Sequence, residues 1–354
     1  VSAAFNVPGV SGAVLVFGWD VIEPAIGQYD FSDFDQWMTM AASSGRKIEL
    51  SITTGYVGSS HTPAWLFQPS PGGGGAKALT FSFTRKPTDT TCLTESIAAP
   101  WDPAFLAQWD AMLAAVSAHL KSTGRYDNVV LLRLTGINKD SDELHLPSES
   151  ADPNVPCKSD NIATWQQAGY RPSLLLQGWD GTTGSFKKYF PDKSFSVAII
   201  ASADPFPPIA EDGSIIKGAI SQPSLPLLTL AAQKFPGHLV IQNNSLYPDS
   251  PAQPETIQSA QSLGTMIAFQ TNEDVTAQGA GCGSRGNPLP TPCTADTFLA
   301  MLNTGIYPLG TSNALRAQYI EVFALNVNAF PAVDLTAYYE LLGIEPSRHH
   351  AVRH

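Results

Sequence analysis

Three glutamates stand where apolar, strand-like runs end or pass. Glu143 follows the run 128–136, in the loop Asn138-Lys139-Asp140-Ser141-Asp142-Glu143-Leu144-His145-Leu146-Pro147. Glu273 follows the run 265–269, after Gln270-Thr271-Asn272. Glu321 lies inside the run 318–323, between Ile320 and Val322. Two carboxyl groups facing one another can divide the work of bond cleavage. One, held protonated, gives its proton to a leaving oxygen, and the other attacks as a nucleophile or activates a water. Glu143 suits the acid, because flanking Leu144 and Leu146 would raise its pKa; Asp140 and Asp142 compete as exposed loop carboxylates. Glu273 is the first choice for the second carboxylate, against a bland role in capping or solvating the next loop. Glu321 is its rival. A lone charge in an apolar strand is costly to bury, so Glu321 either serves a site or forms a buried ion pair, with Arg133 as its candidate partner.

Further polar groups gather just after the same kind of run. Trp19, Asp20 and Glu23 follow 13–17; Tyr56 and His61 follow 47–53; Asn138 and Asp142 follow 128–136. Asn243 and Asn244 follow 238–242, and Gln270 and Asn272 follow 265–269. Trp19, Trp65, Trp101 and Trp179 offer flat apolar faces for stacking. Packing beneath long loops accounts for these tryptophans equally well, and Trp37 and Trp109 fall on helix faces as core residues. The expected binding set is Trp19, Asp20, Glu23, Tyr56, His61, Trp65, Asn138, Trp179, Asn243, Gln270 and Asn272.

The elements that must hold these residues alternate along the chain. Strand-like runs are expected at 13–17, 47–53, 78–83, 128–136, 194–200, 238–242, 265–269 and 318–323. Helices are expected near 33–44, 104–121, 162–167, 174–189, 225–234, 254–263, 295–303 and 335–342, with Gly45 closing the first. Short, mostly apolar strands alternating with helices fit a parallel sheet covered on both sides. The expected architecture is α/β, a single (β/α)8 TIM barrel with long βα loops over residues 1–346, followed by a tail at 347–354. Barrels of this kind keep their chemistry at the C-terminal ends of the strands, where the polar groups concentrate. An open doubly wound sheet is disfavoured, because Gly18-Trp19-Asp20-Val21-Ile22-Glu23 is no glycine-rich phosphate loop.

Composition narrows the partners. The formal net charge is −11 with no basic stripe, which argues against nucleic acid. No apolar run reaches the ~18 residues of a membrane span. The chain shows no HxH pair or His/Asp cluster at strand ends, so no metal and no cofactor is expected. The 28 Gly and 28 Pro recur between apolar segments, which suits long ordered loops. Cys282 and Cys293 bracket one such loop and are paired as a local disulfide, leaving Cys92 with Cys157; four free thiols are the alternative. Disulfides, with a polar, small-residue opening segment, imply a secreted or periplasmic protein.

The phrase Trp19…Glu23-Pro24…Gly27…Tyr29-Asp30-Phe31 after the first run resembles the opening of many (β/α)8 glycoside hydrolases. The whole pattern is similar to the large clan of retaining glycosidases, whose acid/base Glu follows strand four and whose nucleophile Glu ends strand seven. Glu143 and Glu273 take those places. The chain departs from the clan twice: Asp142, not Asn, precedes Glu143, and Gln270-Thr271-Asn272 separate Glu273 from its strand. The resemblance implies cleavage of a neutral or weakly charged oligo- or polysaccharide by two carboxylates with retention. The departures motivate an alternative, a non-catalytic carbohydrate-binding barrel. A metal-assisted hydrolase or a lyase on the same fold ranks third.

Overall fold

The computed structural model describes residues 4–56, 59–83, 93–138, 141–148, 160–199, 206–217, 219, 224–249, 254–271, 294–313, 315–330, 333–339 and 341–342. The strands are β1 (Gly12–Gly18), β2 (Lys47–Thr53), β3 (Gly55–Tyr56), β4 (Ser59–Ser60), β5 (Ala78–Phe83), β6 (Leu93–Ala98), β7 (Val129–Arg133), β8 (Ser194–Ile199), β9 (Leu239–Leu246), β10 (Met266–Thr271) and β11 (Ile320–Glu321). The helices are α1 (Trp19–Ile22), α2 (Ser32–Ser43), α3 (Pro103–Ser122), α4 (Asn161–Gln167), α5 (Pro172–Tyr189), α6 (Leu225–Lys234), α7 (Pro254–Leu263), α8 (Ala295–Ile306), α9 (Ala324–Ala329) and α10 (Leu335–Tyr339). Among the described residues no helix is long and apolar enough to cross a membrane.

Seven strands form one parallel sheet in the order β1-β2-β7-β8-β9-β10-β11. Helices α2, α3, α5, α6, α7 and α8 connect successive members. The third expected strand is not among them. Residues 78–83 are β5, which pairs antiparallel with β6 in a separate hairpin, so the sheet steps directly from β2 to β7. Alternation explains the difference. Leu79 and Phe81 are buried while Thr80 and Ser82 face outward, the pattern of a hairpin with one wet face.

Every strand of the large sheet also alternates. Ile48, Leu50, Ile52, Leu132, Phe195, Val197, Leu239, Ile241, Ile267 and Phe269 face the helices and join the main core with Trp109, Leu113 and Phe186. Leu131, Val240 and Ala268, with Met266 and Tyr319, form a second small apolar group, the floor of the sheet's concave side. Arg133, Glu49, Gln242 and Glu321 share that concave side and touch one another. In a flat sheet β2 and β11, five places apart in the strand order, would stand ~24 Å from one another. Side chains of both reach one guanidinium, so the sheet is curled into a barrel.

Local signals set the helix ends. Asp102 caps α3 by accepting from Ala104 N at 2.8 Å and Phe105 N at 3.3 Å, and Pro103 opens the first turn. Gly45, at φ +66°, follows α2 in the left-handed conformation that ends helices.

Candidate active site

A polar layer fills the curled sheet above its apolar floor. Its centre is Arg133, the last residue of β7, almost wholly buried. Arg133 Nε and Nη2 donate to Glu49 Oε1 at 3.1 and 2.9 Å. Nη1 donates to Asp142 Oδ2, and Nη2 also donates to Glu321 Oε1 and, at 3.2 Å, to Gln242 Oε1. Ser196 donates its hydroxyl to Glu49, and Gln270 Nε2 donates to Glu321 Oε2 at 2.7 Å. The Tyr319 hydroxyl donates to Gln242 Oε1 at 2.6 Å.

One guanidinium thus faces three carboxylates, Glu49, Asp142 and Glu321. With all of them ionised the buried cluster would carry a surplus of two negative charges, which a low-dielectric interior does not tolerate. A proton is retained instead. Burial pushes the Glu321 carboxyl up to about 8; Arg133 opposes this, while Glu49 and Asp142 add to it. The same carboxylates hold the Arg133 guanidinium firmly charged against its burial.

Glu143 sits beside this cluster on the loop that follows β7. Leu144 N bonds to Ala198 O at 2.8 Å and ties the loop to β8; Leu144 and Leu146 are buried beneath it. The Trp165 indole donates to Pro147 O at 2.7 Å. Asn138 shapes the near side: its Oδ1 accepts from Gly136 N at 2.7 Å and its Nδ2 donates to Glu143 O at 2.9 Å. Gly136 has φ +99°, and an added Cβ would press on Thr182 at 3.1 Å and on the Trp109 ring at 3.3 Å. Glycine is required there on both counts. The Glu143 carboxylate accepts from Ser141 Oγ at 3.0 Å. Burial raises its pKa; His145 opposes the shift, and neighbouring Asp142 reinforces it.

The structure brings Glu143, Glu321, Asn138 and Gln270 into one neighbourhood and places several other expected residues elsewhere. Trp19 is fully buried, with Nε1 donating to Glu23 Oε2 at 2.8 Å. Glu23 is buried too; its Oε1 accepts from Gly27 N at 2.8 Å, and its carbonyl accepts from Trp65 Nε1 at 2.8 Å. Trp19, Glu23 and Trp65 are thus tied to one another as a loop anchor. Trp179 is fully buried between α5 and α6, its indole donating to Leu227 O at 2.9 Å. Asn243 faces the helices, with Nδ2 toward Thr256 Oγ1 at 3.4 Å, because β9 turns alternate residues outward. Trp101 packs half-buried against Trp165 and Tyr170. Asp20 and His61 form a pair at 2.7 Å with side chains 39% and 22% exposed. Only the backbone of Tyr56 is described, and Asn272, Glu273, Cys92, Cys157, Cys282 and Cys293 lie outside the described residues.

Sequence reasoning passed over Glu49, Ser196, Gln242 and Tyr319. Their signal was the alternation itself: Lys47-Ile48-Glu49-Leu50-Ser51-Ile52-Thr53 places Glu49, Ser51 and Thr53 on one face. The third expected strand also shifted the count. In the order of the sheet β7 is the third strand and β11 the seventh, so Glu143 follows the third and Glu321 lies on the seventh.

Residues 8–73 match the family model described as beta-galactosidase. This stretch runs from the segment before β1 to the turn after Trp65. Among solved structures, the catalytic domain of beta-amylase from Paenibacillus polymyxa superimposes with a TM-score of 0.55 at 12% identity, over 93% of this chain and 87% of that one. A beta-galactosidase from Bacillus circulans sp. alkalophilus gives 0.49 at 12% identity, over 91% of this chain and 47% of that one. An intracellular xylanase from Thermoanaerobacterium saccharolyticum gives 0.45 at 14% identity, over 87% and 76%. No curated protein sequence matches the chain. The fold that emerges is an α/β barrel.

Proposed function

We propose that this protein is a glycoside hydrolase acting on a neutral or weakly charged oligo- or polysaccharide, with Glu143 as proton donor and Glu321 as the second carboxylate. The observation that supports this most is the surplus of carboxylates over cations in the polar layer, next to a glutamate whose pKa burial raises. Glycoside cleavage passes through a positively charged, oxocarbenium-like state, which fixed negative charge favours over the neutral substrate. Burial raises the Glu143 pKa, the direction a proton donor needs. Glu321 has described contacts within the layer, which is the reason to prefer it here to Glu273. Asp20 and His61 would form one wall of the mouth.

One observation favours the second reading, a barrel that binds carbohydrate without cleaving it. Glu321 retains a proton up to about 8, and a nucleophile must be ionised.

Hydrolysis across a panel of nitrophenyl glycosides and native oligosaccharides separates the two. Glu143→Gln should lower turnover of native substrates by ~10²–10⁴-fold and of nitrophenyl substrates by less, since nitrophenolate leaves without a proton. The anomeric configuration of the first product, read by NMR, distinguishes retention from inversion. Unchanged hydrolysis by Glu143→Gln removes Glu143 from the role. Binding without product formation in the unaltered protein establishes the second reading.

A further inference from the structure

The chain through β11 climbs the concave side of the sheet in steps. Tyr319 belongs to the apolar floor, and Glu321 to the polar layer above it. Ile320 and Val322, the residues between, pack on the helix side with Phe298, Met301 and Val327. Phe323 keeps an extended backbone, φ −62° and ψ 139°, so the alternation turns its side chain to the side of Glu321. Two residues of strand carry it ~6.6 Å beyond Glu321, toward the C-terminal rim. It is 38% exposed. A single exposed apolar residue on an outer surface is ordinary. Phe323 instead faces the inside of the curled sheet, just beyond a layer of carboxylates. On β1, Leu15 and Phe17 join the main core, so Val14 and Val16 turn inward. Val14 is in register with Glu49 and Val16 with Ser51, which puts half-buried Val16 one step beyond the polar layer, at the level of Phe323. Among the described residues, neither Phe323 nor Val16 joins an apolar cluster.

We propose that Phe323 is a sugar-stacking platform: its ring carries the C–H face of one pyranose of the bound oligosaccharide, with Val16 as a second apolar contact, and so holds that sugar beside Glu321. The assignment rests on the carbohydrate reading above, in its cleaving or its binding form. A pyranose is polar around its edge and apolar on its faces. The partial positive charge of its C–H bonds suits the negative face of an aromatic ring. Its hydroxyls need hydrogen-bonding groups alongside, and the polar layer one step below supplies them. A rim that is apolar at Phe323 and Val16 and polar beneath therefore matches a sugar ring better than a wholly apolar or wholly charged ligand. The platform also fixes orientation, because stacking on one flat face leaves the ring edge, with its glycosidic oxygen, turned to the side chains of the layer.

The test is calorimetric binding of xylotetraose, cellotetraose, maltotetraose and β-1,4-galactotetraose to the full chain, in a Glu143→Gln background so that turnover does not intrude. Phe323→Ala should weaken the tetraose that binds by roughly tenfold. Phe323→Trp keeps a flat face and should bind at least as tightly as the parent. Phe323→Leu keeps apolar bulk without the face and should recover only part of the loss. Because Phe323 is exposed, all three variants should melt close to the parent, which separates lost stacking from lost fold. With Glu143 restored, Phe323→Ala should raise KM for a cleaved oligosaccharide by the same factor and leave kcat little changed. Affinity unchanged in Phe323→Ala, or equal in Phe323→Leu and the parent, overturns the platform. Failure of the parent to bind any of the four tetraoses overturns the platform and the carbohydrate reading together. Weakened binding in a protein that cleaves no glycoside sustains the platform and rejects the hydrolase reading; cleavage whose KM ignores Phe323→Ala does the reverse.

Discussion

Glu23 and Glu321 are both buried glutamates at the C-terminal side of a parallel sheet, yet their surroundings are opposite. Each Glu23 oxygen meets a neutral donor, the Trp19 indole or Gly27 N, and its backbone carbonyl holds Trp65. No described cation faces it among these partners. Burial raises its pKa, and the hydrogen bonds from Trp19, Gly27 and Tyr29 oppose the rise. Tyr29 is itself pushed up to about 12 by burial and by Glu23. Glu321 shares one guanidinium with two other carboxylates. A carboxylate whose acceptors are all used by neutral donors anchors a loop. Carboxylates that outnumber their cation hold charge and protons in reserve. Residue type and position after a strand do not separate these roles; the count of partners does.

The largest break of this contrast is at Arg133. Arg133→Met leaves three buried carboxylates without their cation and should destabilise the protein by ~3–5 kcal/mol, read from denaturant unfolding. The loss should shrink as pH falls, because protonation neutralises the stranded groups. Glu321 gives a finer version. Its folded pKa, about 8, lies above the usual carboxylate value, so the folded protein binds the extra proton. Its contribution to stability is fully present below the unfolded pKa and is lost as pH rises through 8. Unfolding free energy should therefore fall between pH 5 and 8 more steeply in the unaltered protein than in Glu321→Gln. Parallel slopes would show that the retained proton resides elsewhere.

At Glu23 the expected effect is smaller and of another kind. Glutamine supplies one acceptor where Glu23 supplies two, so either the Trp19 indole or Gly27 N would face an amide nitrogen. The cost should be ~1–3 kcal/mol in unfolding free energy, with kcat unchanged. Glu143→Gln should do the reverse, removing turnover with little change in stability. Equal losses of turnover in the two variants would erase the distinction between anchor and site.

The sequence made the βα alternation legible because apolar runs and helix caps are local signals. It also pointed to Glu321 with Arg133, since a charge in an apolar strand needs a partner. The hairpin at β5 was readable too, in the Thr80 and Ser82 alternation, but counting runs concealed it and displaced every later strand by one. The polar layer was harder to see. Glu49 becomes a neighbour of Arg133 only when β2 pairs with β7, and Gln242 only when β9 takes its place in the sheet, contacts 84 and 109 residues apart along the chain. The tryptophans misled for a related reason. An indole after a strand can face a ligand or close a loop, and the sequence does not say where its N–H will find an acceptor.

The smallest expected effect lies at the exposed end of the opening phrase. The Asp20 carboxylate accepts from His61 Nδ1 at 2.7 Å, and Asp20 N donates to His61 O at 3.1 Å, so the first two βα loops are joined there twice. Gly18 lies so close that an added Cβ would meet His61 Nδ1 at 2.3 Å. Asp20→Asn removes a partly solvated charge and keeps an acceptor for the imidazole, so stability should change by less than ~1 kcal/mol. A large rise in KM with unchanged stability would move the first loop from the anchoring side of the comparison to the binding side. Unchanged KM and kcat would leave β1 and its loop as support for a site built from β2, β7, β9, β10 and β11.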